Sequence, residues 1–277
     1  MRLNSRLMFG YLNCRKSADR PDVPGRGGAG RGRVLIEAES PSSFADRVCS
    51  LLERVQYRRM ETEAELDAVL RLRYDAYLKE GAIPASASGR LADAFDGVDN
   101  VYNFGVFIDG ELASALRIHT VSHEHQKSPA LETFGDVLRP ELRDCKQILD
   151  PNRFVANYRL SRMHPGLPYV TVRLTILACI HFGIDLMTMT VRAEHQAFYK
   201  RIFFAYPVCP PRSYPLLTKP ISLLFLDFER DGDRILRHRP YWASSRSERE
   251  SLFRGGPTSK PFRMVAGSPP LAAQAAA

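Results

Sequence analysis

Apolar positions recur with two different periods along this chain, and the switches between them mark a series of short strands and helices between about residues 42 and 243. Phe44, Val48, Leu51 and Leu52 share one side of a short helix opening at Ser43, and VQYRRM after it reads as a first strand. Thr62 and Glu65 form a capping-box pattern ahead of a helix in which Leu66, Val69, Leu70, Arg73, Tyr74 and Tyr77 recur at helical spacing and which Gly81 can end. NFGVFI and ELASALRIHT flank Asp109-Gly110, a dipeptide that readily takes the positive φ angles of a tight turn, so a hairpin is predicted with Arg117 on its second strand. An irregular connection of about 30 residues follows. RFVANYRLSRM then reads as a strand, MHPGLP as a loop, and YVTVRLTILACIHFGI as a mostly buried helix stopped by Gly183. LMTMTV has the bulk of a buried strand, AEHQAFYKRIFF the spacing of a helix, and SLLFLDF closes the pattern. This order predicts an α/β domain whose central strands lie parallel, each linked by a crossover helix.

Composition leaves that picture standing, since 277 residues with 44% hydrophobic and 25% charged content are ordinary for a globular protein with a substantial core. Charge changes the reading of the ends. Residues 1–33 and 234–277 each carry eight basic and two acidic groups, so the +8 of the whole chain leaves residues 34–233 net acidic by four. The pI of 9.4 therefore describes the tails, and a nucleic-acid partner is not expected. Gly, Pro and Arg dominate 17–33, and the Ala/Pro-rich GSPPLAAQAAA ends the chain, so 1–41 and 244–277 are expected to be disordered around a folded body at 42–243. Their basic character leaves peripheral membrane contact as a further role. Cys14, Cys49, Cys145, Cys179 and Cys209 are widely spaced, without CxxC or zinc-ligand spacing, which fits free thiols in a reducing compartment. The apolar run near the N-terminus is too short for a signal-peptide core, and the expected location is cytoplasmic. His123-Glu124-His125 has no further ligands to join it, and no metal is expected.

The chemistry-bearing residues cluster in order. Asp185 to Pro207 couples a strand to a helix with Tyr199 and then Phe203-Phe204. That order resembles the closing motif of the GCN5-related N-acetyltransferase (GNAT) superfamily, a Tyr followed four and five residues later by Gly-Phe. Tyr199 and Phe204 match, while Phe203 stands where the Gly is expected. The resemblance implies a GNAT-like fold, with a mixed central sheet whose two central strands splay apart and helices on its flanks. It also implies an acyl thioester whose pantetheine arm pairs with the exposed backbone of one splayed strand. Tyr199 would be the acid that protonates the leaving thiolate. The splayed strand would be the one ending Tyr158-Arg159-Leu160-Ser161-Arg162-Met163, making Leu160, Ser161, Arg162, Met163 and Gly166 donor-binding residues. The loop that follows, His164-Pro165-Gly166-Leu167-Pro168-Tyr169, has one Gly and two Pro where such enzymes carry a glycine-rich pyrophosphate loop. Proline removes amide donors, so a full coenzyme A pyrophosphate would be held poorly.

Arg71-x-Arg73-Tyr74-x-x-Tyr77, Asp96-x-x-Asp99, Arg117 and Leu160-Ser161-Arg162 occur in the order found in acyl-homoserine-lactone autoinducer synthases, and the chain also resembles the FeeM-type N-acyl amino acid synthases. Both families take fatty acyl groups from acyl carrier protein, whose phosphopantetheine has a single phosphate. The resemblance implies no permanently bound cofactor, an acyl-phosphopantetheine co-substrate on acyl carrier protein or coenzyme A, and transfer of a long-chain acyl group to an amino-acid amine. Autoinducer synthases have an acid three residues before the Arg of the Ser-Arg pair, and here that residue is Arg159. A guanidinium suits a carboxylate acceptor, so Arg117, Arg159 and Arg162 are the candidate acceptor-binding residues. Arg139, Arg143 and Lys146, in a stretch with ten basic and five acidic residues (139–201), are the expected face for an acidic carrier protein. The alternatives are homoserine-lactone synthesis, coenzyme A-dependent acetylation of a small amine, and a non-catalytic module whose basic tails bind nucleic acid or anionic membrane.

Overall fold

Asp109 and Gly110 both take positive φ, 51° and 84°, which is the backbone that the right-handed twist of a hairpin demands of a two-residue loop. Around that turn the computed structural model describes residues 43–144, 146–214 and 217–256. The strands are β1 (Val55–Arg59), β2 (Val101–Ile108), β3 (Glu111–Val121), β4 (Ile148–Ala156), β5 (Leu186–Val191), β6 (Tyr206–Pro207) and β7 (Ser222–Asp227). They form one sheet in the order β1-β2-β3-β4-β5-β7-β6. The helices are α1 (Phe44–Leu52), α2 (Glu63–Lys79), α3 (Pro129–Thr133), α4 (Gly135–Arg143), α5 (Tyr158–Met163), α6 (Leu167–Phe182), α7 (Gln196–Phe203), α8 (Phe228–His238) and α9 (Arg246–Phe253). This is a mixed seven-stranded sheet flanked by helices.

The expected run of parallel strands is corrected. Only β4 and β5 pair parallel, joined by α6 as the crossover; every other neighbouring pair is antiparallel. α6 is buried nearly throughout, with Val170, Leu174, Ile176 and Leu177 at 0% exposure, and it fills one face of the sheet against Leu116, Ile118, Leu149 and Met187. The other face is covered by α2 over Ala115 and Val155, and by α3 and α4 over Val121, Ile148 and Leu186. The capping box at Thr62 and Glu65 forms as predicted, and Gly81 takes φ 63° just beyond α2. Ser43 and Asp46 make a second capping box that opens α1.

Three boundaries differ from the pattern. YRLSRM is not the end of a strand, because the Asn157 side chain accepts a bond from the Leu160 amide (3.2 Å) and caps a helical turn. The strand instead starts earlier, at Ile148, and the connection before it holds α3 and α4. The disordered tail does not begin at 244. α9 packs Phe253 (3% exposed) among Tyr102, Phe104 and Phe182, and Arg173 of α6 bonds Glu248 at 2.6 and 2.9 Å and the Tyr241 carbonyl at 2.8 Å. The expected lead at 1–41 and the end of the chain from 257 lie outside the described residues.

Candidate active site

β4 and β5 share only two residue pairs, Ile148 with Leu186 and Leu149 with Met187, before they part. Asp150 marks the fork: its carboxylate accepts from Thr188 Oγ1 (3.3 Å) of β5 and from the Ala130 amide (3.0 Å). Burial pushes this carboxyl up, partly offset by the Ala130 bond. Beyond the fork, β4 gains one residue relative to β3, where the register steps from Arg117–Asn152 to Ala115–Val155. Arg153 sits in this bulge with φ 52°, a left-handed conformation costly for a residue with a Cβ. Pro151, which donates no ladder bond, lies where pairing with β5 has already ended. The edge of β4 that faces β5 after Leu149 thus presents backbone groups without a strand partner. Such an edge can take a pantetheine-like chain as an added strand and aim amides at a thioester oxygen.

A buried charge network holds the bulge. Arg117, fully buried, donates to Asp93 (2.6 and 3.0 Å), to Asp96 (2.7 Å) and to Asn152 (2.7 Å). Arg73 donates to Asp96 (2.5 Å) and Asn103 (2.9 Å), and Arg153 donates twice to Asp93 (2.6 and 3.1 Å). Burial alone would raise the Asp93 carboxyl, but the guanidiniums of Arg117 and Arg153 outweigh it and hold the group far below the usual carboxylate range. His119 is pulled down to about 3 by burial and by Arg117, so its neutral ring donates through Nε2 to the Phe95 carbonyl (3.2 Å) while Nδ1 accepts from Asn152 (3.1 Å). Asp93 and Asp96 are three residues apart on a 3-10 turn (Ala94–Gly97), whose start Asp93 caps through the Phe95 amide.

The loop after α5 leaves few donors for a phosphate. The Leu167 amide bonds the His164 carbonyl (2.9 Å), the Tyr169 amide bonds that of Gly166 (3.0 Å), and Pro165 and Pro168 have no N–H. Gly166 is needed for another reason: a Cβ there would meet Leu51 at 3.2 Å and Val48 at 3.4 Å, so α1 and the loop could not approach as closely. Between them runs a groove of about 530 Å³ lined by Arg47, Arg54, Met163 and His164, among others.

The sequence pattern of a family described as N-acyl amino acid synthase FeeM matches residues 68–227, more than half of the chain. The chain belongs to this family. No curated protein matches it significantly. Among solved structures it is similar to FeeM, an N-acyl amino acid synthase from uncultured soil microbes, at 16% identity over 66% of this chain and 96% of that one, with a TM-score of 0.56. It is also similar to TofI in a ternary complex with an inhibitor and MTA, at 15% identity over 69% and 100%, TM-score 0.50. A CoA-dependent acyl-homoserine lactone synthase, MesI, matches at 17% identity over 69% and 97%, TM-score 0.49. The likenesses to FeeM and TofI show the fold, and the FeeM family match identifies the chain as an acyltransferase.

Within this FeeM-family chain the residues singled out from sequence separate. Tyr199 stands on α7, half-buried, with its ring 5.1 Å from Phe198; burial, and then nearby Tyr77, push its hydroxyl up, so it is protonated and able to donate at neutral pH. No hydrogen bond ties that hydroxyl among the described residues. Leu160 is buried under α5, Ser161 Oγ donates to the Tyr158 carbonyl (2.9 Å), and Met163 is 59% exposed. Arg162 donates to the Tyr158 hydroxyl (3.0 Å) from an exposed helical turn rather than a strand.

Two acceptor candidates are corrected. Every nitrogen of Arg117 is already bonded within the buried network, and with 0% exposure its guanidinium is out of a substrate's reach. Arg159 pairs with Glu111 beside the β2–β3 turn, away from the side of β4 that faces β5. The acidic pair read as Asp96 and Asp99 is Asp93 and Asp96; Asp99 is exposed, 3.8 Å from His125. Sequence reading missed Asp93 and Arg153, although Asp93 stands three before Asp96 and could have been found from that spacing. Phe204, not Phe203, takes the left-handed backbone after α7 (φ 54°), with the Arg234 guanidinium 3.8 Å over its ring.

Proposed function

We propose that this acyltransferase moves a long-chain acyl group from a phosphopantetheine thioester on acyl carrier protein to the α-amino group of a free amino acid. The observation that carries the donor assignment is the loop 164–169: the His164, Leu167 and Tyr169 amides bond backbone carbonyls and positions 165 and 168 are proline, so Gly166 alone offers an amide without a backbone partner, little to hold the second phosphate and nucleotide of coenzyme A. In the reaction, the neutral amine attacks the thioester carbon and an N–C bond forms. The oxyanion that develops faces the unpaired amides of β4. The C–S bond then breaks, Tyr199 gives its proton to the departing thiolate, and the proton released by the acylated nitrogen passes through solvent to restore the Tyr199 phenol.

The carrier would approach along the groove between α1 and the loop, where Arg47 brings positive charge toward an acidic partner and Arg54 is paired with Asp109. Arg139, Arg143 and Lys146 support docking less well, because they precede β4 while the loop follows it; a nine-residue strand separates the two by roughly 25 Å. Lys146 is also paired with Glu141 at 2.5 Å. Peripheral membrane contact through the tails concerns residues that are largely outside the described ones. Expression in a bacterial host followed by mass spectrometry of the lipid extract tests the reading. New N-acyl amino acids should accumulate, and an extract identical to that of the Tyr199→Phe strain would contradict it.

A further inference from the structure

The buried guanidinium of Arg153 has one nitrogen to spare. Nε and Nη2 are bound to Asp93, while Nη1 makes no hydrogen bond among the described residues, and the side chain is only 6% exposed. That side chain forms part of a cleft of about 70 Å³ lined also by Asp93, Phe95, Glu132, Thr133 and Tyr214. Two further groups there are uncommitted. The Tyr214 hydroxyl and the Glu132 carboxylate make no hydrogen bond or ion pair among the described residues, and Glu132 is exposed, which puts it at the mouth.

Nη1 is not sealed away from solvent, as the orphaned Arg73 Nε is, so it remains accessible on a side chain that lines the cleft and can donate to a ligand oxygen. The bulge also puts a left-handed arginine at this position, a strained backbone that the Asp93 bonds and the face of Tyr77, 5.4 Å from the guanidinium, hold in place. The cleft has the volume of roughly two to three waters at about 30 Å³ each, enough for a carboxylate and its α-carbon but not for a large side chain, which would project through the mouth. Its charges are laid out in sequence: a cation at the floor, a phenol beside it, an anion at the opening.

We infer that this cleft is the acceptor site, taking the head of a zwitterionic α-amino acid with its carboxylate on Arg153 Nη1 and the Tyr214 hydroxyl and its ammonium beside Glu132, where it gives up a proton to solvent before the neutral amine attacks. The inference rests on the proposed amino-acid acceptor and specifies where it binds. It replaces Arg117, sealed in the buried network, and Arg159, exposed and paired with Glu111, with the arginine in the bulge next to the fork, and it leaves the acceptor's side chain free to vary. Arg153 and Tyr214 approach the site from β4 and from the segment between β6 and β7, so neither element alone forms it.

The test uses the full chain with dodecanoyl acyl carrier protein and an equimolar mixture of the twenty L-amino acids or their α-carboxamides, with products read by mass spectrometry. Amino acids should be acylated and carboxamides should not. With the preferred amino acid, Tyr214→Phe and Glu132→Gln should each raise KM for the acceptor about tenfold or more, with kcat and KM for the donor little changed, as expected when one charged or buried hydrogen bond to substrate is lost. Arg153→Lys, which keeps the charge but not the fork, should lose the discrimination against carboxamides. Amino-acid selectivity with unchanged acceptor KM in Tyr214→Phe and Glu132→Gln would overturn this cleft as the site while leaving the proposed function intact. Carboxamides acylated as well as amino acids would overturn both.

Discussion

Removing residues 244–277 should unfold the enzyme, although sequence composition marks that stretch as a tail. Two losses act together. Phe253, 3% exposed among Tyr102, Phe104 and Phe182, gives up about 1.5–3 kcal/mol of apolar burial. Arg173, with a side chain 6% exposed, loses Glu248, and an unpaired buried charge costs about 3–5 kcal/mol. The total of about 5–8 kcal/mol is comparable to the whole stability of an ordinary domain, about 5–15 kcal/mol. At about 2–4 °C of Tm per kcal/mol, a truncation after residue 243 should melt 10 °C or more below the full chain, if it folds at all. A truncation after Gly256 keeps every one of these contacts and serves as the control. Glu248→Gln separates the terms, since it removes the charge and keeps the helix. Differential scanning calorimetry of the three variants gives the answer directly. If the chain cut after 243 melts within two or three degrees of the chain cut after 256, α9 contributes nothing and the packing argument is refuted.

Tyr199→Phe should lower kcat about 10²-fold while leaving the melting temperature nearly unchanged, because it deletes a proposed proton donor and no packing volume; turnover equal to wild type would make Tyr199 a packing residue. Arg47→Glu should raise KM for the acyl carrier protein and weaken its salt dependence, whereas Arg139→Glu should not; the reverse result would return carrier docking to α4. Asp93 has a folded pKa lowered by Arg117 and Arg153, so its contribution to stability is present above the unfolded value of about 3.9 and is lost as pH falls toward the folded one. Chemical denaturation from pH 6 to pH 2 should therefore show stability declining below about pH 4, and Asp93→Asn should be less stable at pH 6 by about 3–5 kcal/mol because Arg153 loses its carboxylate partner and Arg117 keeps only Asp96. A variant as stable as wild type at pH 6 would contradict the network.

Local signals carried much of the architecture. The capping box at Thr62, the Asp109-Gly110 hairpin and the Gly183 stop are set by a few neighbouring residues whose backbone chemistry does not depend on the rest of the fold. Strand direction was not legible, because LMTMTV has the same apolar pattern whether its neighbour runs with it or against it. β4 escaped for a related reason: Pro151 and the extra bulge residue break the alternation of ILDPNRFVA, although that irregularity shapes the fork itself. α9 reads as polar because Glu248 makes its contact through a carboxylate and only Phe253 enters the core. The site was half legible. Arg73 and Arg117 stand out as arginines inside apolar runs, but whether such an arginine meets a substrate or two aspartates depends on residues 20 and more positions away, as the bonds from Arg117 to Asp93 and Asp96 illustrate.

The central claim is acyl transfer from a carrier-bound thioester to an amino acid. Purified full-length protein should be given dodecanoyl acyl carrier protein and dodecanoyl coenzyme A in separate reactions, each with ¹⁵N-labelled amino acids, and kcat/KM for labelled N-dodecanoyl amino acid measured. The account predicts that product with a clear preference for the carrier-protein donor. Equal or better use of coenzyme A would contradict the reading of the proline-interrupted loop, and thioester hydrolysis without any labelled amide would contradict the transfer itself.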